Sequence, residues 1–157
     1  MTAQAFMAEH VERMGLSMAH FIASTDPDLL TQNLSTKSDI PARSVLEMVA
    51  ECASANRYFA ALLNGGTPGQ PAIQTFTGSD DARDEIMASA NVLADAIKQT
   101  ANSALDQEFM HWSRGPLTGK ILLMGAYRNM AYHSGQINFI QILDGDHEFH
   151  VPPTWLK

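Results

Sequence analysis

Apolar residues recur at spacings of three and four along most of the chain, which is the pattern of one buried face of an α-helix. Four stretches carry this pattern: about Gln4 to Ser24, near Pro41 to Leu63, Ser79 to about Leu105, and Thr118 to Leu143. No stretch reads as a convincing strand, and no segment repeats. The sequence therefore predicts an all-α protein, a four-helix bundle that forms a single domain over residues 1–157.

Several predicted helix ends coincide with residues that start or stop helices. Ser38 or Asp39 can cap the second helix, and the segment Asn64-Gly65-Gly66 ends it. Ser79 can cap the third helix, and residues 106–117 are expected to be an irregular connection to the fourth. The connections are long enough for an order of helices other than simple up-and-down, and the sequence leaves that order open.

The fourth helix carries polar groups on the face that its spacing predicts to be buried. That face is formed by Leu122, Gly125, Asn129, His133 or Tyr132, Gln136 and Ile140. Buried polar groups cost free energy unless they are hydrogen-bonded or bind a ligand. This helix is therefore the part of the chain where the sequence indicates chemistry.

The second helix has a predicted inward face that includes Met48 and Cys52. Both have ordinary roles in a core, since methionine fills irregular gaps and a free cysteine behaves as a small hydrophobic residue. Glu47 and Glu51 fall on the opposite side and are interpreted as part of a solvated face.

The charge balance excludes some classes of partner. The net charge is −7, with ten basic residues and no basic run, so nucleic acid and anionic membrane surfaces are not expected partners. No apolar run approaches the length of a membrane span, and the N-terminal segment does not resemble a signal peptide. Cys52 is the single cysteine, which excludes an intramolecular disulfide and fits a reducing cytoplasm.

Asn129 and His133 are four residues apart, so their side chains lie on adjacent turns of one helix face. Two histidines at this spacing would be good metal ligands, whereas one asparagine and one histidine form a weak pair. The alternative for His133 is a histidine hydrogen-bonded to Gln136, to a tyrosine or to a backbone carbonyl.

The segment RNMAYHSGQINFIQILDG, residues 128–145, resembles the last helix of the DinB/YfiT-like superfamily, which has a pattern close to H-x-x-x-H-x-G-Q-I. His133, Gly135, Gln136 and Ile137 match that pattern. The resemblance implies a four-helix bundle, often a homodimer, in which three histidines bind a divalent metal such as zinc, nickel or manganese. Characterised members of this superfamily include thiol-dependent S-transferases and a maleylpyruvate isomerase.

The implied metal triad is incomplete in this sequence. His133 matches the second histidine of the last helix, whereas Asn129 stands at the position of the first. The histidine of the second helix corresponds to Met48, and Cys52 one turn later is a conceivable substitute because a thiolate can bind zinc. The incomplete triad therefore also predicts an alternative in which the protein binds no metal.

Two functions from different classes follow. The first is a divalent-metal- or thiol-dependent transferase or hydrolase with a small-molecule pocket between helices two and four. In that function His133 is catalytic or binds the metal with Asn129 and Cys52, and Met48 and Gln136 line the pocket. The alternative is a non-catalytic homodimeric bundle without metal that binds or regulates. A cleft that reaches His133 would favour the first, and an enclosed site without room for a ligand would favour the second.

Overall fold

The computed structural model describes residues 1–34, 42–148, 150 and 152–155. Within these residues, four long helices account for most of the chain: α1 (Ala3–Ala23), α2 (Val45–Leu63), α3 (Ser79–Gln99) and α4 (Gly119–Leu143). Short 3₁₀ turns at Pro27–Leu29, Asn102–Ala104 and Pro153–Trp155 punctuate the connections. No helix in this part of the chain combines the length and the apolar character that crossing a bilayer requires.

The helix starts follow from local hydrogen bonding. Thr2 caps α1 by accepting a hydrogen bond from the amide of Ala5. Ser44 caps α2 and forms a reciprocal pair with Glu47, whose carboxylate accepts from the Ser44 amide at 2.7 Å. At α3 the cap residue is Gly78, and the carboxylate of Asp81 accepts from its amide at 3.0 Å.

The helices do not pack in chain order. α1 packs against α3 and α4, and α2 packs against the same two helices, so α1 lies diagonal to α2 and α3 lies diagonal to α4. The connections from α1 to α2 and from α3 to α4 therefore cross an end of the bundle, which explains why these segments are long. Apolar residues from all four helices form the shared core.

A glycine allows α1 and α3 to approach each other closely. A Cβ atom added at Gly15 would lie 2.6 Å from the Cβ of Ala90, which is closer than two carbon atoms can pack. At one end of the bundle, Gln141 ties α4 to α1. Its Nε2 lies 3.3 Å from the carbonyl oxygen of Phe21 and 3.1 Å from Oγ1 of Thr25, and its side chain is buried.

The connection between α3 and α4 contains a β-hairpin, which corrects the prediction of an irregular segment. Strand β1 (Glu108–His111) pairs antiparallel with β2 (Gly115–Thr118), and Gly115 has the positive φ of 71° that the tight turn requires. The strands are only four residues long, and Pro116 within β2 is typical of an edge rather than a central strand. The pattern of apolar and polar residues therefore does not indicate either strand.

Three predicted details of the helices are also wrong. α2 begins at Val45 with Ser44 as its cap, several residues after the predicted start, and Ser38, Asp39 and Pro41 lie outside the described residues. Ser79 is the first residue of α3 and not its cap. The buried face of α4 is rotated from the predicted one, because Leu123, Ala126 and Met130 are its central residues while Gly125, Asn129 and Gln136 lie at its edge.

The contact at Gly15 predicts a measurable cost. Gly15→Ala should lower the free energy of unfolding by about 1–2 kcal/mol, because overpacking must separate α1 from α3 and outweighs the gain in helix propensity. Gly135→Ala is the matched control, since nothing lies within 4 Å of its added Cβ. It should raise the free energy of unfolding by about 0.5–1 kcal/mol. Urea unfolding of both variants tests this, and an equal effect at the two sites would contradict the close contact.

Candidate functional site

His133 is buried on α4 and is held by a chain of side chains. Its Nδ1 lies 2.6 Å from Oε1 of Gln136, whose Nε2 donates to Oη of Tyr132 at 3.2 Å. In this arrangement Nδ1 carries the hydrogen and donates it to Gln136. The neutral ring therefore presents an unprotonated Nε2 to its other neighbour.

That other neighbour is Glu51 on α2. The Nε2 of His133 lies 3.6 Å from Oε2 of Glu51, and the same carboxylate forms an ion pair with Arg43. Burial lowers the pKa of His133 below its ordinary value, the hydrogen bond to Gln136 opposes this, and the nearby charge of Arg43 lowers it further. The neutral form of the His133 ring is therefore favoured.

Asn129 and Cys52 contact each other behind this pair. Nδ2 of Asn129 donates to the sulfur of Cys52 at 3.7 Å. The cysteine is fully buried, and burial strongly raises the pKa of its thiol, so it stays protonated and is a poor nucleophile. Met48 is packed in the apolar core. Cys52 and Met48 therefore fit the core roles considered from the sequence.

A cavity of about 640 Å³ lies between α2 and α4. One wall is α2, through Glu51, Ala55 and Phe59, and the other is α4, through Ile121 and Asn129. The backbone of α4 passes close to Phe59, because a Cβ added at the cavity residue Gly125 would lie 3.2 Å from its ring. Of the five residues predicted for the site, Asn129 lines the cavity, whereas His133, Gln136, Cys52 and Met48 do not.

The hairpin forms a third wall, and two side chains fix its turn. Nδ1 of His111 accepts hydrogen bonds from the amides of Ser113 and Arg114, both at 3.2 Å. Oη of Tyr58, on α2, accepts from the amide of Trp112 at 2.8 Å. Burial, followed by the charge of Arg114, lowers the pKa of His111 below its ordinary value, so the neutral ring that can accept these bonds is favoured.

The segment after α2 closes another side of the cavity. Oγ of Ser54 donates to the carbonyl oxygen of Ala72 at 2.9 Å, and Pro71 and Ile73 line the cavity beside it. Ser54 and Tyr58 are buried by these contacts, and Glu51 is only partly exposed. The sequence placed Glu51 on a solvated face. Its carboxylate instead lines the cavity and faces His133, because periodicity does not reveal which distant segments cover a helix.

Sequence reasoning also missed the cationic residues of the cavity. Arg43, Arg114 and Arg128 line it, and they come from three separate parts of the chain. No local motif links them. The one local sequence signal for this site is the segment from His111 to Gly115. His111 comes just before a tight turn, so its ring can accept hydrogen bonds from the amides of the turn.

The donor set does not fit the three-histidine metal site that the resemblance implies. The described residues contain no group of three histidine, cysteine, aspartate or glutamate side chains that could hold a metal ion. Glu51 and His133 are the nearest pair of donors, and Glu51 is already neutralised by Arg43. Asn129 and Cys52 bind each other, and the thiol is protonated. A catalytic zinc site is held by three protein ligands, and Glu51 and His133 are the one close pair of such donors described above.

Comparison with known proteins supports the fold. The structure is similar to the crystal structure of a DinB-like protein, YjoA from Bacillus subtilis, with a TM-score of 0.62 over 97% of this chain and 99% of that chain. No family model matches the sequence, and no curated protein matches it. The two structures share 16% sequence identity, so the similarity concerns the fold and not a reaction. The predicted four-helix bundle of the DinB-like type is thereby confirmed.

The role of His111 predicts a dependence of stability on pH. Its folded pKa lies below the ordinary value of about 6.5, so the unfolded chain binds a proton first as the pH falls. The stabilisation is complete above about pH 6.5 and is lost as the pH falls towards the folded pKa. His111→Asn keeps an acceptor for the turn amides but does not titrate, so its free energy of unfolding should change less between pH 7.5 and about 5.5. Urea unfolding measures this, and an identical slope in both proteins would contradict it.

Proposed function

We propose that the protein binds a small molecule in the cavity between α2 and α4. The observation that carries this proposal is the cavity itself, whose volume of about 640 Å³ lies within the range of small-molecule sites. Apolar side chains such as Phe59, Leu117 and Ile121 form much of its surface, and a few polar groups converge on it. This combination is typical of sites in which apolar contacts supply affinity and polar groups set orientation.

The walls are held in place before any ligand arrives. The hydrogen bonds of Ser54 to Ala72 and of Tyr58 to Trp112 anchor the loop and the hairpin to α2. A site whose walls are already ordered loses less conformational entropy on binding. These hydrogen bonds favour the interpretation of the cavity as a binding site over its interpretation as a packing defect.

Within this proposal, Glu51 meets the ligand and His133 acts through it. Glu51 lines the cavity, and His133 lies 3.6 Å behind its carboxylate. The transferase or hydrolase activity that the resemblance implies is proposed in a form that needs no metal. In it Glu51 is the general base that takes the proton of an attacking thiol or water, and His133 is a positioning residue. The cavity has room for a ligand and reaches Glu51, but the predicted catalytic residue His133 is not part of its lining.

Filling the cavity tests this proposal. Ala55→Trp places an indole in the cavity without removing a polar contact, and it should abolish the binding of small molecules. Ala88→Trp, at an exposed position of α3, is the matched control. A general fragment library is screened by saturation-transfer NMR against both variants and the unaltered protein. Fragments that bind the unaltered protein and Ala88→Trp should lose binding to Ala55→Trp by at least tenfold.

Two results would count against a ligand site in the cavity. One is that the library yields no binder to the unaltered protein. The other is that the binders retain their affinity for Ala55→Trp, which would place them elsewhere on the surface. Circular dichroism and the unfolding midpoint of each variant establish that the fold is retained.

We also propose that two copies of the chain associate through the exposed face of α4. Between positions 121 and 142 the exposed residues of α4 are Ile121, Met124, Arg128, Ala131, Tyr132, Gly135, Phe139 and Ile142. One of these eight is charged, whereas an exposed helix face is normally polar. Contiguous exposed apolar residues on a protein surface are typical of an interface.

The order of these residues suits a second copy of the same helix. Each position has a counterpart equally far from the centre between Ala131 and Tyr132, so Ile121 pairs with Ile142 and Met124 with Phe139. An antiparallel pair of α4 helices related by a two-fold axis would place these counterparts opposite each other. The small residue Ala131 at the centre allows close approach. This surface gives the homodimer of the alternative function a specific basis.

A charge at the centre of this face tests the dimer. Ala131→Glu places two like charges close to the proposed two-fold axis and should convert a dimer at micromolar concentration to a monomer, measured by sedimentation equilibrium. Ala88→Glu introduces the same charge on the exposed side of α3 and should leave the dimer intact. A monomeric unaltered protein, or a dimer that survives Ala131→Glu, would contradict this interface.

A further inference from the structure

The cavity between α2 and α4 has an excess of positive charge. Three of the six arginines in the sequence, Arg43, Arg114 and Arg128, line it, and Glu51 is the one acidic residue in its lining. This is notable in a chain whose net charge is −7. The positive charges are therefore concentrated at this site against the overall balance of the protein.

Two of these arginines differ from the other arginines of the described chain. Arg43 forms an ion pair with Glu51, which neutralises both. The remaining ion pairs of arginine are Arg13 with Glu9, Arg57 with Glu85 and Arg83 with Asp80. No acidic side chain among the described residues pairs with Arg114 or Arg128. The cavity lining thus keeps two cations that no acid of this part of the chain neutralises.

The two arginines are held by ordered parts of the structure. Arg114 lies in the hairpin turn, where its amide donates to Nδ1 of His111 at 3.2 Å. Arg128 lies in the middle of α4. Burial is the main cause of the lowered pKa of His111, and the charge of Arg114 lowers it further, so Arg114 contributes positive potential at the hairpin wall of the cavity.

Large apolar side chains stand exposed beside these cations. Trp112 is 46% exposed, Ile73 62% and Tyr132 64%, although all three line the cavity. The flat rings of Trp112 and Tyr132 suit an aromatic or planar apolar group. Guanidinium groups bind carboxylate and phosphate oxygens through paired hydrogen bonds. The lining therefore offers complementary surface to both halves of an amphipathic anion.

We infer that the cavity selects an organic anion, with its acidic group held by Arg114 and Arg128 and its flat apolar body against Trp112. The inference rests on the proposed small-molecule site and adds the class of ligand. Exposed arginines on a convex surface are commonly solvated and need no partner. Here two of them share one concave site with a third arginine, so their mutual repulsion is relieved by a bound anion.

Two fluorescent probes with the same apolar body separate charge from apolar binding. Anilinonaphthalene sulfonate carries an acidic group, and N-phenylnaphthylamine is its uncharged counterpart. Both should bind the unaltered protein, and the anion should bind more tightly and weaken as salt is added. Arg114→Gln should raise the Kd of the anionic probe by about tenfold and leave that of the neutral probe unchanged. Arg114→Lys, which keeps the charge, should lose less.

Matched variants complete the design. Arg83→Gln removes an arginine that is paired with Asp80 on α3, outside the cavity lining, and should change neither probe. Arg114→Gln combined with Arg128→Gln should weaken the anionic probe further than Arg114→Gln alone. Arg128 also lies on the exposed face of α4, so the double variant could change the proposed dimer. Sedimentation of the double variant is therefore measured alongside. The comparison of the double variant with Arg114→Gln is also repeated in proteins that carry Ala131→Glu.

The outcomes distinguish the two levels of the proposal. If both probes bind, lose binding in Ala55→Trp and are insensitive to Arg114→Gln and to the double variant, the cavity is a ligand site but does not select anions. If neither probe binds, or if Ala55→Trp changes neither, the proposed site itself is wrong and the inference falls with it. A loss of the anionic probe alone in the arginine variants, with the neutral probe retained, supports the inference.

Discussion

The close packing of α1 on α3 is the constraint on which the rest of the bundle depends. At Gly15 and Ala90 these helices approach as near as two backbones with one Cβ between them allow. The contact of α2 with α4 is built differently, since the ring of Phe59 lies against Gly125 and holds the helices at the distance of an aromatic side chain. The cavity lies between α2 and α4, along this second contact.

The diagonal arrangement of the helices determines what covers this cavity. Since α3 and α4 are diagonal, the chain must cross an end of the bundle between them, and the hairpin is part of that crossing. Tyr58 and His111 fix the hairpin turn, which brings Trp112 and Arg114 into the wall of the cavity. The residues that shape the site therefore come mainly from the connections, while the helices supply the rigid frame.

The sequence predicted the frame and missed much of the site, for one physical reason. Helical periodicity reports which face of a helix is apolar, and it identified the four helices and the core positions of Met48 and Cys52. It carries no information about which distant segment covers a polar face. Glu51 was therefore assigned to solvent, although it lines the cavity that the loop and hairpin help to enclose. The network of His133 and Gln136 was among the alternatives considered, and the structure contains it.

The hydrogen bonds of Asn129, His133 and Gln136 on α4 bear on the kind of chemistry that this cavity can support. Asn129 donates to Cys52, and His133 is held by Gln136 on one side and faces Glu51 on the other. Asn129 and Cys52 are thus engaged with each other, and His133 is engaged with Gln136 through Nδ1. The cavity cations without an acidic partner in the described chain are Arg114, in the hairpin turn, and Arg128, beside Asn129 on α4. A site with this distribution attracts negative charge from solution, whereas a cation would have to displace Arg43 from Glu51. The electrostatics of the cavity therefore favour an anionic ligand over a metal ion.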